Sequence, residues 1–385
     1  MDISRASDSI LGRWWWTVDR TILFSFLLLV AFGILLSAAA TPMAAERIGI
    51  ERFYFLKRHL LYVVPSLAAV FFISTLEYSG VKKLSLYLYF TFAILTFLTL
   101  FMGSEIKGAR RWISIFGFSL QPSEFVKPAL VVITAWMLSE GRKYPEFRGK
   151  FLSFLFLSLF VFLLILQPDI GMVVVTVSVW FGQLFLNGLP IILVIVASGI
   201  LLGGFILAYL FLPHVTARVD RFLDPAVGDQ YQIGRSLEAF ANGGLFGVGP
   251  GEGLIKKHLP DAHSDFVFAV LGEEFGFLVC VLVASIIAFI VVYGALKTLK
   301  ENNLFSLLAS VGLLSQFGLQ SFINIASALH MIPTKGMTLP FLSYGGSSML
   351  AASVTVGMIL ALRKKNYLSE VESRATFSST NASPS

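Results

Sequence analysis

The chain has 385 residues, of which 56% are hydrophobic and only 14% are charged, and its net charge is +6. A soluble domain of this size needs far more polar surface, so the composition excludes a soluble protein and indicates an integral membrane protein. The basic residues are scattered through short segments, which excludes the contiguous basic domain of a nucleic-acid-binding protein. The single cysteine, Cys280, excludes an intramolecular disulfide and a cysteine metal cluster.

The N-terminal region resembles a cleavable signal peptide, because basic residues precede an apolar run. That run, residues 21–40, is long enough to cross a bilayer, so we interpret it as an uncleaved first span. Nine further apolar stretches of spanning length follow. The ten predicted spans are 21–41, 57–77, 85–102, 124–140, 150–167, 170–188, 189–212, 265–296, 304–331 and 342–362. The sequence therefore predicts an all-α, polytopic integral membrane protein with about ten transmembrane helices.

An even number of spans places both ends of the chain on one side of the membrane. Lysine and arginine placement favours cytoplasmic ends once the long loop at about 213–264 is set aside, because long loops cross the membrane regardless of charge. We predict a cytoplasmic segment at 1–20, a transmembrane domain at 21–363 with that loop extracytoplasmic, and a tail at 364–385. The tail is rich in Ser, Thr and Asn and is expected to be disordered and cytoplasmic.

Two arginines, Arg110 and Arg111, lie between the third and fourth predicted spans beside Trp112. Such a pair suits the binding of a phosphate or pyrophosphate headgroup, although ordinary snorkelling to the headgroups explains the arginines equally well. Glu124 and Lys127 lie at i and i+3 at the start of the next span. Because these positions share one helix face, we predict an intramembrane ion pair.

A carboxylate, Asp169, follows Gln167-Pro168 at the break between two predicted spans. Helix capping explains it simply, because the helix dipole favours negative charge at an N-terminus. An ion pair with Lys127 across the bundle is a second interpretation.

The densest polar segment runs from Asn242 to Gly276 and combines a glycine-rich turn, two lysines, a histidine and several carboxylates. A polar cluster beside spanning sequence is costly and indicates a functional site. Its glycines fit either a flexible turn or backbone that approaches a bulky or anionic substrate. Asp265 is expected at the outer membrane boundary, where partial desolvation suits a general base, although spacing alone also fits an N-cap. A second irregular loop, 333–348, is expected on the same side, lining a cavity or buried in protein.

Five motifs occur in order along the chain. They are Gly108-Ala109-Arg110-Arg111-Trp112, Gln121-Pro122-Ser123-Glu124 with Lys127-Pro128, Gln167-Pro168-Asp169 with Gly171, Leu259-Pro260-Asp261-Ala262-His263-Ser264-Asp265-Phe266, and Ser343-Tyr344-Gly345-Gly346-Ser347-Ser348. Together they resemble the SEDS family (shape, elongation, division, sporulation), from about the first span to the last. Pro333-Thr334-Lys335-Gly336 resembles the division member, since the elongation member usually lacks the lysine. Ser264 replaces the usual threonine, and Ala226 replaces a common tryptophan.

The resemblance implies a peptidoglycan glycosyltransferase that polymerises lipid II, an undecaprenyl-diphosphate-linked precursor, on the outer face of the bacterial cytoplasmic membrane during septal wall synthesis. It implies a class B penicillin-binding protein, the transpeptidase, and other divisome proteins as partners. The family's essential acidic residue falls on Asp265, its functionally sensitive carboxylate on Asp169, and its intramembrane pair on Glu124 and Lys127.

The chemistry that the resemblance implies moves a sugar from polyprenyl pyrophosphate to a hydroxyl, with inversion at the anomeric carbon. One carboxylate suffices as general base, and Asp265 is expected to take the proton of the acceptor 4-hydroxyl. The predicted substrate-binding residues are Arg110, Arg111, Arg218, Lys256, His263, Lys335 and Ser343. The sequence establishes no cofactor, and it leaves open a divalent cation, Mg²⁺ or Mn²⁺, at the pyrophosphate.

Two functions of other classes stay open from the sequence. A lipid II flippase would use the same headgroup-binding residues and would survive the loss of a single outside carboxylate. A non-catalytic divisome scaffold would tolerate changes at Asp265, Asp169 and Lys335 together. The sequence shows no internal repeat, which counts against the inverted symmetry of many transporters.

Overall fold

The structure is a computed structural model that describes residues 10–47, 49–106, 109–115, 117–211, 216, 220, 231–333 and 336–364. In this part of the chain there are twelve α-helices, one short 3-10 helix and three short β-strands. The helices are α1 (Ile10–Thr17), α2 (Arg20–Arg47), α3 (Tyr54–Ser74), α4 (Tyr78–Met102), α5 (Ser123–Lys143), α6 (Gly149–Leu166), α7 (Ile170–Leu186), α8 (Ile191–Phe211), α9 (Tyr231–Gly243), α10 (Val267–Thr298), α11 (Leu304–Ala328) and α12 (Gly346–Leu362). The 3-10 helix η1 is Ile255–His258, and the strands are β1 (Ser104–Ile106), β2 (Ala109–Ile115) and β3 (Phe118–Leu120).

Helices of membrane-spanning character dominate the fold. Every apolar stretch that the sequence predicts as a span overlaps one helix, from α2 to α8 and from α10 to α12. Among the described residues, α2, α3, α4, α6, α10 and α11 are long and apolar enough to cross a membrane, and α7 and α12 are shorter apolar helices. The chain is thus a helical, multi-pass membrane protein, as its composition indicates. The number of ten spans, the domain boundaries and the position of the large outer loop stay predictions.

Helix α5 lies at the centre of the bundle. Nearly all of its residues from Ser123 to Leu138 are buried, and it packs against α4, α6, α7, α11 and α12. A helix that is buried around its whole circumference must satisfy any polar group it carries from inside the protein. Glu124 and Lys127 lie in its first turns, so their buried charged groups require hydrogen-bond or ion-pair partners within the protein.

A small antiparallel sheet, in the order β1-β2-β3, connects α4 to α5 within the otherwise helical fold that the sequence predicts. Glu105 lies opposite Arg110 in the first ladder, and Ser114 lies opposite Ser119 in the second. Because side chains alternate between the faces of a strand, consecutive residues of β2 point in opposite directions. Apolar spacing predicted the helices on either side, but three- and seven-residue strands are too short to give a pattern of their own.

The glycine-rich segment packs directly on α10, where that helix is kinked at Gly276 with φ +81°. The amide of Phe277 donates to the Gly244 carbonyl at 2.9 Å, and the amide of Val248 donates to the Glu273 carbonyl at 3.0 Å. A Cβ atom on Gly247, whose φ is +82°, would lie 2.2 Å from the Glu274 carbonyl oxygen. Glycine is therefore required at 247 for close contact between two backbones of the protein itself.

The two ends of the described chain meet at Asp19, between α1 and α2. Its Oδ2 lies 2.8 Å from Lys297 Nζ on α10 and 3.0 Å from Arg363 Nη2 just after α12. Trp14 of α1 donates from Nε1 to Ser74 Oγ at 2.7 Å. Both ends therefore lie at the same end of the bundle. The predicted disordered tail, apart from Lys364, lies outside the described residues.

Candidate active site

A polar cavity of about 730 Å³ lies at the end of the bundle where α10 begins. Its walls come from β2 and β3, the turn at 261–266, the loop at 336–346, and residues of α3, α5, α9 and α11. The two irregular segments that the sequence places on one side do meet here. The amide of Tyr344 donates to the His263 carbonyl at 2.8 Å, and Ser343 Oγ donates to the Ser264 carbonyl at 2.6 Å.

Asp265 lines this cavity from the turn that directly precedes α10. The amides of Ser264 and Phe266 both donate to the Asp261 carbonyl, at 3.0 and 3.3 Å, which closes the turn. The N-cap position of α10 is Phe266, so the N-cap interpretation of Asp265 is wrong. The turn presents the Asp265 side chain to the cavity from a partly buried position.

Asn324 on α11 holds this turn from behind, and the sequence reasoning missed it. Its Nδ2 donates to the Asp265 carbonyl at 2.9 Å and to the Met337 carbonyl at 2.6 Å, and the residue is only 2% exposed. Gly336, in the loop after α11, lies close to the Asp265 side chain, because a Cβ atom on it would be 3.5 Å from Asp265 Oδ2. The signal in the sequence that could have identified Asn324 is that a polar residue lies inside a predicted span.

The two adjacent arginines of β2 have different surroundings. Arg111 lines the cavity and donates from Nε to the Gln167 carbonyl at 3.0 Å and from Nη2 to the Pro168 carbonyl at 2.7 Å. Arg110 is exposed, pairs with Glu105 at 3.3 Å, and is not part of the cavity lining. Of the two predicted phosphate ligands, only Arg111 therefore lines the cavity that Asp265 also lines.

Asp169 caps α7, as predicted, by accepting from the Met172 amide at 3.4 Å. Its ion partner is Arg111, with Nη1 3.4 Å from Asp169 Oδ2, so the predicted pair with Lys127 is wrong. Burial raises the pKa of the Asp169 carboxyl, and the nearby Arg111 guanidinium offsets only part of that effect. Asp169 thus fixes the arginine that faces the cavity.

The predicted intramembrane pair is confirmed, since Lys127 Nζ lies 2.9 Å from Glu124 Oε2 and both side chains are buried. Lys127 also donates to Gln320 Oε1 at 2.9 Å, and Gln320 Nε2 donates to the Thr338 carbonyl at 3.2 Å. Glu124 and Thr338 line the cavity. The charges of α5 are therefore connected through α11 to the loop that faces Asp265.

Lys256 is on η1 and is not among the residues that line the cavity. Its ammonium forms a short ion pair with Glu274 and donates to the Ala39 carbonyl at 2.9 Å, and both side chains are almost fully buried. The neighbouring Glu273 accepts from the Ile255 and Lys256 amides at 2.7 and 2.9 Å. These contacts supply the partners that carboxylates at this depth need.

The remaining predicted ligands divide into three groups. His263 lines the cavity, stacked on Phe55 with ring centroids 5.1 Å apart, and burial lowers its pKa although Asp261 offsets part of the effect. Ser343 accepts from the Leu339 amide at 2.8 Å and braces the two loops, without lining the cavity. Arg218 and Lys335 lie outside the described residues.

Arg58 on α3 also lines the cavity, and the sequence analysis did not single it out. Its guanidinium donates to Tyr54 Oη at 2.8 Å and forms a short bond to the Gly117 carbonyl in the β2–β3 turn. Arg58 and Arg111 thus give the cavity two arginines beside the carboxylates of Asp261, Asp265 and Glu124. No local motif marks Arg58, because its position depends on packing of α3 against the sheet.

The fold and the cavity define a polytopic membrane protein with arginines and carboxylates in one site at the end of its helical bundle. A family model described as "Cell cycle protein", for FtsW, RodA and SpoVE, matches residues 19–368. The chain belongs to this family, which is the SEDS family that its motifs resemble.

Curated relatives and solved structures agree with this membership. Probable peptidoglycan glycosyltransferase FtsW of Caulobacter vibrioides is 44% identical over 364 residues, covering 94% of this chain and 93% of that protein. The protein of the same name from Haemophilus influenzae is 33% identical, covering 91% of each chain. A chain from a peptidoglycan synthase complex matches with a TM-score of 0.74 at 27% identity, covering 90% of this chain and 97% of that one. RodA of Thermus thermophilus matches with a TM-score of 0.67 at 28% identity, covering 91% and 97%.

Proposed function

We propose that this peptidoglycan glycosyltransferase polymerises lipid II into glycan strands during septal wall synthesis, with Asp265 as its general base. The observation that most favours this role is that Asp265 and Arg111 line the same 730 Å³ cavity. A base must reach the acceptor hydroxyl while a cation meets the charge of the leaving pyrophosphate. Both kinds of group are present around one space at the end of the bundle.

In the proposed reaction, the Asp265 carboxylate takes the proton of the acceptor 4-hydroxyl as that oxygen attacks the anomeric carbon of the donor sugar. The bond from this carbon to the pyrophosphate oxygen breaks, its electron pair leaves with the pyrophosphate, and the configuration inverts. Arg111 is held by the carbonyls of Gln167 and Pro168, so its guanidinium is oriented before substrate arrives. Arg111 and Arg58 are proposed to bind the pyrophosphate.

The other predicted ligands keep proposed roles that differ with their surroundings. His263 is proposed to contact the sugars as a neutral imidazole, in line with its lowered pKa. Ser343 is proposed to act by bracing the two loops, and the buried pair of Lys256 with Glu274 favours a structural role. Arg110 is exposed and does not line the cavity, and Arg218 and Lys335 lie outside the described residues. All three are proposed, from the family resemblance, to bind phosphate groups of the substrate.

A divalent cation at the pyrophosphate stays a proposal. Among the described residues, no group of three or more His, Cys, Asp or Glu side chains is arranged to hold a metal ion. Mg²⁺ in such sites is usually held by one or two carboxylates together with substrate phosphates, and Asp261 and Asp265 are carboxylates of the cavity that fit this pattern. A bound cation would neutralise charge on the leaving group.

A class B penicillin-binding protein is the proposed partner, because a chain from a peptidoglycan synthase complex shares this fold. Other divisome proteins are proposed partners from the resemblance alone. Both chain ends are proposed to be cytoplasmic, with the cavity at the outer face and the protein at the division septum.

The test is polymerisation of lipid II by the purified chain with its cognate transpeptidase, with glycan strands separated on gels. Wild type is expected to give ladders and Asp265→Asn none, with moenomycin present to silence polymerases of the other family. Glu238→Gln is the matched control, because Glu238 is an exposed carboxylate that pairs with Arg235 on α9 outside the cavity. It should polymerise at the wild-type rate.

Substantial ladders from a folded Asp265→Asn protein would overturn the role of Asp265. If neither wild type nor variant makes ladders while the complex is intact and lipid II moves between vesicle leaflets, the chain is a flippase. If neither activity appears and division in cells survives the combined loss of Asp265 and Asp169, the chain is a scaffold.

A further inference from the structure

A second polar cleft, of about 420 Å³, lies between the start of α4, the end of α5 and the start of α11. The first cavity lies beyond the opposite end of α4, where β1 begins. Because α4 has 25 residues and an α-helix rises about 1.5 Å per residue, the two sites are separated by roughly the thickness of a bilayer core. The cleft therefore faces the other side of the membrane.

The cleft contains three basic side chains, Lys82, Arg142 and Lys143, and one carboxylate, Glu140. Lys82 Nζ is 3.5 Å from Glu140 Oε1, and Trp136 Nε1 donates to the same Glu140 oxygen at 3.3 Å. This single carboxylate is therefore shared, and positive charge remains in excess in the cleft.

Lys82 is not a freely moving surface lysine. Its ammonium lies 5.0 Å from the Trp136 ring centroid and 4.6 Å from that of Phe305, and its side chain is only 23% exposed. Cation–π contacts on two sides hold the charge in place without neutralising it. A lysine that served only as a topology signal would need neither burial nor fixed geometry.

Arg142 and the first turn of α11 add oriented donors. Arg142 Nη1 donates to the Asn187 carbonyl at 2.8 Å, which anchors a guanidinium that has further N–H groups. Leu304 and Phe305, the first residues of α11, line the cleft, and Asn303 caps this helix by accepting from the Ser306 amide at 3.2 Å. The positive end of a 25-residue helix thus faces the same space.

The geometry points to a binding site for the phosphate of an anionic phospholipid in the leaflet opposite Asp265. Lys82 and Arg142 contact the phosphate, and the apolar walls of Leu304, Phe305 and Tyr78 receive the glycerol and the first methylenes of the acyl chains. Basic pockets between transmembrane helices recognise such headgroups. A free anion would use the cations but would leave the apolar walls without a contact.

The test is native mass spectrometry of the purified full chain in detergent, titrated with phosphatidylglycerol or cardiolipin and, in parallel, with phosphatidylethanolamine. Wild type is expected to bind the anionic lipids more tightly. Lys82→Gln should weaken anionic binding about fivefold, the effect of one basic residue at a membrane surface. Lys83→Gln, the same charge change at an exposed neighbour that does not line the cleft, should have no effect.

Equal anionic-lipid binding by the Lys82 and Lys83 variants would overturn the site, as would equal affinity for phosphatidylethanolamine. If Lys82→Gln does not fold, Arg142→Gln at the exposed end of α5 replaces it, with the same expected loss. Competition with inorganic phosphate distinguishes a lipid headgroup from a free anion as the ligand of this cleft. Millimolar phosphate that displaces bound lipid in wild type, and that itself binds with the same dependence on Lys82, would identify a free-anion site and overturn the lipid assignment.

Discussion

Asn324 and Asp265 are joined by a hydrogen bond in which the Asn324 side chain donates to the Asp265 carbonyl at 2.9 Å. The same nitrogen donates to the Met337 carbonyl at 2.6 Å. Because both acceptors are carbonyl oxygens, the amide must present its NH₂ group to them. One buried side chain on α11 therefore fixes the distance between two walls of the cavity, the turn before α10 and the loop after α11.

Replacing Asn324 with Ala should lower kcat for glycan synthesis by about tenfold or more while KM changes little, because loss of both bonds lets the Asp265 turn move by a fraction of an ångström. Steady-state kinetics with lipid II would measure the split between the two constants. Asn302→Ala, in the exposed loop before α11, is the control that should leave both constants unchanged. A fall in Tm with unchanged kcat would mean that Asn324 only stabilises the fold.

Arg111→Lys should destabilise the protein by about 1–3 kcal/mol, because a lysine cannot reproduce the planar fork that reaches the Gln167 and Pro168 carbonyls and Asp169. Thermal unfolding in detergent would record this as a lower Tm. The matched change Arg110→Lys should alter Tm little, since an exposed ion pair such as that with Glu105 contributes about 0–1 kcal/mol. Equal Tm shifts for the two variants would contradict the anchoring role of Arg111.

Lys256→Met should destabilise the protein by about 3–5 kcal/mol, because it leaves the Glu274 carboxylate buried without its cation. The double variant Lys256→Met with Glu274→Gln should recover much of that loss in thermal unfolding, since the buried charge is then gone. A Lys256→Met protein with normal Tm and a raised KM for lipid II would instead show that Lys256 contacts substrate.

Three glycine-to-alanine changes should affect Tm to different extents, in a defined order. Gly247→Ala should lower Tm most, because its Cβ would lie 2.2 Å from the Glu274 carbonyl oxygen and its φ is positive. Gly251→Ala meets open space at φ +86°, so only backbone strain of about 1 kcal/mol is expected. Gly234→Ala, inside α9 with nothing within 4 Å, should keep or raise Tm because alanine favours a helix. Similar losses at 247 and 251 would contradict close backbone packing at 247.

Stability should fall as the pH drops below about 6.5, and His263 should contribute to this fall. Burial lowers the pKa of folded His263 below its ordinary value, so the unfolded chain binds more protons in that range. The stabilisation is fully present above the unfolded pKa and is lost as the pH falls toward the folded value. Tm measured from pH 7.5 to 5 should therefore decline less steeply for His263→Gln than for wild type, and parallel curves would contradict this assignment.

The sequence predicted those parts of the fold and site that depend on neighbours along the chain. Apolar length located the helices, and the i, i+3 spacing of Glu124 and Lys127 predicted a pair that the structure confirms. Asp169 was predicted correctly as a helix cap for the same reason, since a cap and its amide are three residues apart. These interactions need no knowledge of how the helices pack.

The contacts that the sequence did not predict connect residues far apart in the chain. Arg111 meets Asp169 across 58 positions, and Lys256 meets Glu274 across 18 positions. Arg58 reaches the cavity only because α3 packs beside the β2–β3 turn. Composition marks each of these residues as polar in an apolar chain, but only tertiary packing selects the partner.

The cluster at Asp19 has a consequence for the order in which the protein matures. Asp19 is synthesised just before α2, whereas its partner Lys297 emerges with α10 and its partner Arg363 only after α12. Until Lys297 emerges, the segment before α2 carries a carboxylate without either of the cations that pair with it in the finished bundle. A chain that stops between Lys297 and Arg363 therefore retains one of the two cations that contact Asp19, whereas a chain that stops before Lys297 has neither.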